Sequence, residues 1–488
     1  MAICDFPKTS SKIGQTSTSC LQKFTIHFRR PDKLKQDQNV PYRGQYGFDW
    51  LRDEYIYPME TVMFNQFTST SIEQKYTPLC RTIDIPDLKE EYLKDVEPPG
   101  NPEKKFKPHD QDYYPAWLSI FACNVQGDNA DAGSDIHKEG VYLDLQLDEI
   151  YEIIDDGTEI FFKSSDPCLK ITPEKISISE FLKTKREKRI LDKNIGQPEI
   201  YYYKLENAVK VICQGDTLKE HGQIKVFAKL GAIKIEVGRL MVYQNNQIGK
   251  AKIVVVNVIT NYDNNKKVIP RSYPILNYFF NYQSFNQAMI KVELKKNEDF
   301  DLYALRNENP DIEIFLDDMK NHNYRTNEKP STEIRNRLCA LYEKYGKHDL
   351  EGKPINDKKQ LSTYLFFTNL SPSDVDSVGF VGGIATIGTK EGGNMVVMFQ
   401  QGLHKGSSIV HEVAHSFSLC HTFEPSPANK KPKFHRGYTD NFMDYHEFIK
   451  SSDPNDHDDN KHEMYSFFKW QWEMMRDDLS IEKKWNNL

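Results

Sequence analysis

The chain has 488 residues, a net charge of −7, 28% charged and 38% hydrophobic residues, so it holds material for several hydrophobic cores. Both signs of charge are mixed throughout, which excludes nucleic acid as the main partner. No apolar run reaches the ~18 residues of a membrane helix, which excludes a membrane span.

The eight cysteines (Cys4, Cys20, Cys80, Cys123, Cys168, Cys213, Cys339 and Cys420) are scattered, and none forms a Cys-x-x-Cys pair. Reduced thiols are expected rather than a disulfide framework. Residues 1–20 are rich in Ser, Thr and Lys and lack the apolar h-region of a secretory signal. The expected location is therefore the cytoplasm, or outside the cell by a signal-peptide-independent route.

Phe24, Ile26 and Phe28 alternate with Thr25, His27 and Arg29, the period of a half-buried strand in which His27 is a structural residue. Tyr42 to Arg52 packs aromatic residues around Gly44 and Gly47 and reads as a turn plus a core strand. Glu97 to His109, rich in Pro and Lys, is an expected loop. Val141, Leu143, Leu145 and Leu147 mark another strand. Short strands then recur at 159–163, 208–213, 223–230, 233–237, 240–243 and 251–260. This spacing predicts one or two β-sandwich domains, divided as residues 1–150 and 151–265. Nothing in them gathers His, Cys or carboxylates at ligand spacing, so a binding, targeting or shielding role is expected.

After the polar stretch Tyr262–Lys267 the pattern becomes mixed helix and strand, a third domain over residues 266–488. A helix is predicted over 276–290 and strands at 291–295, 312–316 and 364–367. A further helix follows Ser331 as cap, with Ile334, Leu338, Leu341 and Tyr342 on its buried face. Gly379 to Gly388 is glycine-rich, but no Gly-Lys-Ser/Thr follows as a phosphate loop requires. Asn394 to Phe399 is an expected strand, and Gly406-Ser407-Ser408 starts a helix with a serine as N-cap. Ile409, Val410, Val413, Ala414 and Phe417 form its buried stripe.

The other face of that helix carries His411, Glu412 and His415 of the run His411-Glu-Val-Ala-His415, with His421 six residues on. Histidines four apart lie one turn from each other, so both imidazoles reach one ion, with Glu412 leaning over the open side. Zinc suits this donor set, since it accepts nitrogen ligands and keeps a fourth position for water, whose pKa falls toward ~7. Glu412 can take the proton as that water attacks a carbonyl. His421 requires the chain to turn beyond His415 and come back to the metal.

His411-Glu412-x-x-His415-x5-His421, followed by Asn441-Phe-Met443-Asp-Tyr445, resembles the metzincin clan of zinc endopeptidases. The resemblance covers only the C-terminal part. It implies an α/β peptidase domain with His411, His415 and His421 as zinc ligands, Glu412 as general base and Met443 as an apolar floor under the metal. It also implies that Tyr445 ligates zinc or stabilises the oxyanion, as the tyrosine does in astacin-like and serralysin-like members. The strand before the helix is implied to border the cleft and pair with an extended peptide substrate. The clan carries glycine three residues after the second histidine. Here that position is Ser418, so a differently built turn is expected.

Leu79-Cys80-Arg81 lacks the surroundings of a cysteine switch. His435 and His446 are expected at the rim, Asp453 to Asn460 as a solvated acidic loop, and Glu463 to Asp478 as a packing helix. Tyr42 to Arg52 resembles the start of bacterial proteins associated with contact-dependent (type VI) secretion, which implies secretion machinery as a partner and an exported effector as the role. The expected function is hydrolysis of protein substrates by a zinc endopeptidase. The alternative is a binding or structural protein whose β domains act and whose zinc site only holds the fold together.

Overall fold

The computed structural model describes residues 21–34, 40–59, 63–67, 72–97, 105–271, 274–296, 299–346, 362–373, 375–376, 379–388, 395–424, 430–445 and 464–483. The expectations for residues 1–20, His446 and Asp453–Asn460 fall outside them. The fold is mixed α/β with several sheets and a strong β component.

Two sheets face each other in the N-terminal half. One runs in the order Phe24–Arg29, Val141–Glu149, Gln197–Cys213, Glu187–Asp192, with Leu169–Thr172 also paired to Gln197–Cys213. The other runs Gly47–Asp49, Ala116–Ser119, Ile233–Val242, Gly222–Leu230, Glu159–Ser164, Lys175–Ser177. Phe24, Ile26 and Phe28 meet Leu143, Leu145 and Leu147 on the first, and Ile224, Val226 and Ala228 close the same core from the second. The alternation seen in the sequence is therefore the inner face of a sandwich. Val141–Glu149 is hydrogen-bonded to Gln197–Cys213, so strands from both sides of residue 150 build one core.

A third sheet carries the candidate site. Its order is Ile290–Lys296, Gly249–Ile259, Thr363–Thr368, Met395–Met398, Gly383–Ala385. The first four strands are parallel and the last is antiparallel. Strand 251–260, expected among the sandwich strands, is thus central to this sheet. Its Ile253-Val-Val-Val256 run suits a strand covered on both faces. Ile253, Leu365, Phe367, Val396 and Met398 pack with Ile409, Val410, Val413 and Ala414. Val254, Val256, Tyr364, Phe366 and Val397 pack with helices Pro310–Asn321 and Pro330–Tyr345 on the opposite face.

Three local expectations are corrected. Residues 312–316 are helical, inside Pro310–Asn321, because Asn309-Pro310 starts a helix whose buried apolar positions are Ile312, Phe315 and Met319. Ser331 lies inside the next helix, which begins at Pro330 after Lys329. Met395–Met398, expected to border the cleft and pair with substrate, is instead flanked on both sides, and among the described residues the edge falls to Gly383–Ala385 from the glycine-rich stretch. Among the described residues no helix is long and apolar enough to cross a membrane.

Candidate metal centre

The helix Gly406–Ser416 begins two or three residues earlier than a serine cap would place it, after Lys405, which makes no side-chain cap bond. Ile409, Val410, Val413, Ala414 and Phe417 are fully buried. Burial of such side chains contributes about 1.5–3 kcal/mol for each large one, so this stripe fixes the rotation of the helix. That rotation turns His411 and His415 toward the loops that follow and Glu412 toward the strand Gly383–Ala385.

The helix ends on a left-handed residue. Ser418 has φ +71°, its amide donates to the His415 carbonyl (3.0 Å), and the Leu419 amide donates to the Ala414 carbonyl (3.1 Å). This is the Schellman pattern that glycine usually serves. The expectation of a differently built turn is therefore corrected, since serine adopts the glycine conformation. Its hydroxyl donates to the Asp478 carboxylate, which offsets part of the left-handed cost.

The turn brings His421 back to the helix. The Nε2 atoms of His411, His415 and His421 stand 3.1, 3.1 and 3.2 Å apart. His411 Nδ1 donates to the Phe442 carbonyl and His415 Nδ1 to the Leu419 carbonyl, both at 2.7 Å. A carbonyl can only accept, so each Nδ1 carries the proton and each Nε2 presents a lone pair to the centre. Glu424 places a carboxylate oxygen 2.7 Å from His421 Nδ1, an ion-pair contact without hydrogen-bond alignment, so the third ring is oriented less strictly than the other two. Burial, then the neighbouring histidines, pushes His411 well below the usual histidine range and His415 down to about 3.

Three converging lone pairs repel one another unless a cation lies between them. Nitrogens about 2.0–2.1 Å from one zinc at tetrahedral angles would stand roughly 3.3 Å apart, close to the observed triangle. The donor set fits a zinc ion, and these are the three residues that could hold a metal among the described residues.

The turn at Asn441–Tyr445 flanks the triad through the Phe442 carbonyl at His411 and the Tyr445 hydroxyl at His421. The Met443 amide donates to Asn441 Oδ1 (2.9 Å), and the buried Asp444 carboxylate accepts from the amides of Gly437, Thr439 and Tyr445. Besides the Phe442 carbonyl on His411, the turn offers the Met443 carbonyl to the Thr422 amide (3.1 Å). Met443 itself is fully buried. The Tyr445 hydroxyl stands 3.0 Å from His421 Nε2, at the mouth of the triangle.

Glu412 lies against the edge strand. A Cβ on Gly383 would come 2.7 Å from Glu412 Cγ, so glycine is what lets strand and carboxylate share this space. Burial pushes Glu412 up to about 8, opposed by Arg335. The Gly382 carbonyl accepts from the Phe399 amide (3.0 Å), which sets the pleat so that Gly383 and Ala385 turn their peptide groups toward the open edge. Arg335 donates to the Ala385 carbonyl there (3.2 Å).

All six residues singled out in the sequence, His411, Glu412, His415, His421, Met443 and Tyr445, lie in this region. His435 does not join the triad; its amide is bound to the Leu79 carbonyl (2.8 Å). Cys80 is buried in a bridge to Phe434. The orienting carbonyls of Phe442 and Leu419 carry no side-chain signal in a sequence. Gly383, Glu424 and Arg335 were missed because each acts through a contact that only the fold creates. No family model matches the chain, and no curated protein matches it.

Proposed function

We propose that the chain is a zinc-dependent endopeptidase of the metzincin kind. The observation that carries this reading is the converging triangle of Nε2 atoms, in which His411 and His415 each donate from Nδ1 to a main-chain carbonyl, with the Glu412 carboxylate beside it. A zinc ion held by His411, His415 and His421 would acidify a water and polarise the scissile carbonyl.

The chain's own groups supply the rest. Glu412 accepts a proton from the attacking water and returns it to the leaving amine, because it is the carboxylate next to the triad in a poorly solvated place. The Tyr445 hydroxyl donates to the oxygen that gains negative charge. The edge strand Gly383–Ala385 holds an extended peptide by main-chain pairing, which binds backbone with little regard to side chains. This moves the substrate-pairing role from strand 394–399 to its outer neighbour.

Glu412→Gln tests the reading. Zinc content should stay at the wild-type level while cleavage of a peptide library falls by about 10²–10⁴. Full activity in that variant would remove Glu412 as the base. A wild type that holds zinc and cleaves nothing would leave a structural metal site.

A further inference from the structure

The aromatic and glycine stretch Tyr42–Arg52 is a joint between the sandwich and the third sheet. Gly44 and Gly47 let the backbone pass so closely that a Cβ would meet the carbonyls of Gln283 and Gln287 at 2.3 and 2.5 Å. Asn286 donates to the carbonyls of Gly44 (2.9 Å) and Gln45 (2.8 Å), and the Lys469 amide donates to Asp49 (2.7 Å).

The joint ends on an ion cluster. Arg52 Nη2 donates to both Asp440 oxygens (3.0 and 2.8 Å), Arg30 Nη2 donates to Oδ2 (3.0 Å), and Ser466 Oγ donates to Oδ1 (2.7 Å). Trp50 lies under both guanidiniums, with Tyr42 and Tyr465 on Arg30 and Tyr55 on Arg52. Two largely buried arginines fix one carboxylate on several sides. Asp440 is the residue just before Asn441–Tyr445, the turn that supplies the Phe442 carbonyl to His411 and the Tyr445 hydroxyl at His421.

A second tether acts on the loop after His421. Arg81 donates to the Phe423 carbonyl (2.9 Å), its amide to the Lys433 carbonyl (2.8 Å), and the Lys433 amide to Asp84 (3.1 Å).

We infer that the N-terminal sandwich is part of the metal centre's scaffold: Arg30 and Arg52 are positioning residues that hold Asp440, and through it set Tyr445 and the His411 ring against the metal. This rests on the metal reading above and gives the β-rich half a task in the site. Neither arginine touches the triad.

The test uses the full chain with Co2+ as probe, whose visible spectrum reports the coordination around it independently of turnover. Wild type should bind about one Co2+. R52M should keep that stoichiometry and cooperative unfolding, yet shift the spectrum in the direction of Y445F. The Y445F/R52M double variant should add nothing further, and R52K, which restores a cation, should return the spectrum toward wild type. If R52M does not fold, the isosteric D440N takes its place in the comparison. A wild-type spectrum in folded R52M or D440N, a spectrum indifferent to Y445F, or an additive double variant overturns the inference. A Co2+ spectrum that responds as expected in a chain that cleaves no peptide upholds the positioning role and removes only the hydrolytic reading. Failure of wild type to bind Co2+ overturns both.

Discussion

Gly383→Ala puts one methyl group between the edge strand and Glu412. The new Cβ would stand 2.7 Å from Glu412 Cγ, 2.9 Å from Met398 Sδ and 3.0 Å from Met398 Cε. Ordinary carbon contacts lie at about 3.5–4.0 Å, so strand, carboxylate or methionine must give way by about 1 Å. Met398 is fully buried between sheet and helix, which leaves Glu412 as the easier group to move. Overpacking of this kind costs about 1–3 kcal/mol of stability. A catalytic group misplaced by about 1 Å loses on the order of 10²-fold in rate, or about 2.7 kcal/mol in the barrier. Zinc content should not change, because no triad atom touches Gly383. The assay is kcat/KM on a fluorogenic peptide, with zinc analysis and thermal unfolding on the same sample. A folded, zinc-loaded Gly383→Ala chain with kcat/KM within about threefold of wild type would refute the placement of Glu412 as base beside the edge strand.

Ser418→Ala should lower stability by about 1.5–3 kcal/mol in denaturant unfolding, because the bond to the Asp478 carboxylate is lost while φ stays positive. Ser418→Gly should cost less, since glycine recovers about 1–2 kcal/mol of left-handed strain. Asp440→Asn should lower stability by about 3–5 kcal/mol at neutral pH, as expected for one partner removed from a buried ion cluster. Burial alone would raise the Asp440 pKa, but Arg52 and Arg30 together hold it well below the usual carboxylate range. Its contribution is therefore full above the unfolded value of about 3.9 and is lost as the pH falls below it toward the lower folded value. The stability gap between wild type and Asp440→Asn should accordingly hold down to about pH 4 and shrink steadily below it, and a gap that stays constant there would contradict the pairing.

The candidate site was legible because its chemistry is written in local spacing. His411 and His415 share a face by the helical period, and the apolar stripe at 409, 410, 413, 414 and 417 points the other way. The turn at Ser418 was misjudged because its stabilising partner, Asp478, lies 60 residues downstream. Residues 312–316, Ile-Glu-Ile-Phe-Leu, fit strand and helix periods alike, and only Asn309-Pro310 decides between them. Strand 251–260 reads correctly as a strand, but an apolar run cannot say which sheet will receive it. The edge strand showed in the sequence only as a glycine-rich stretch, since Gly382 and Gly383 are there for close approach to Gly402 and Glu412 rather than for a turn. Arg52 and Asp440 are 388 residues apart, and no local pattern links them.

The most direct test of the central claim is zinc per chain by elemental analysis, on wild type and on His415→Ala and His421→Ala. The account predicts about one zinc in wild type and near none in either variant, since each removes one corner of the Nε2 triangle. A folded wild type that stays metal-free after incubation with zinc, or variants that bind it as wild type does, would contradict it.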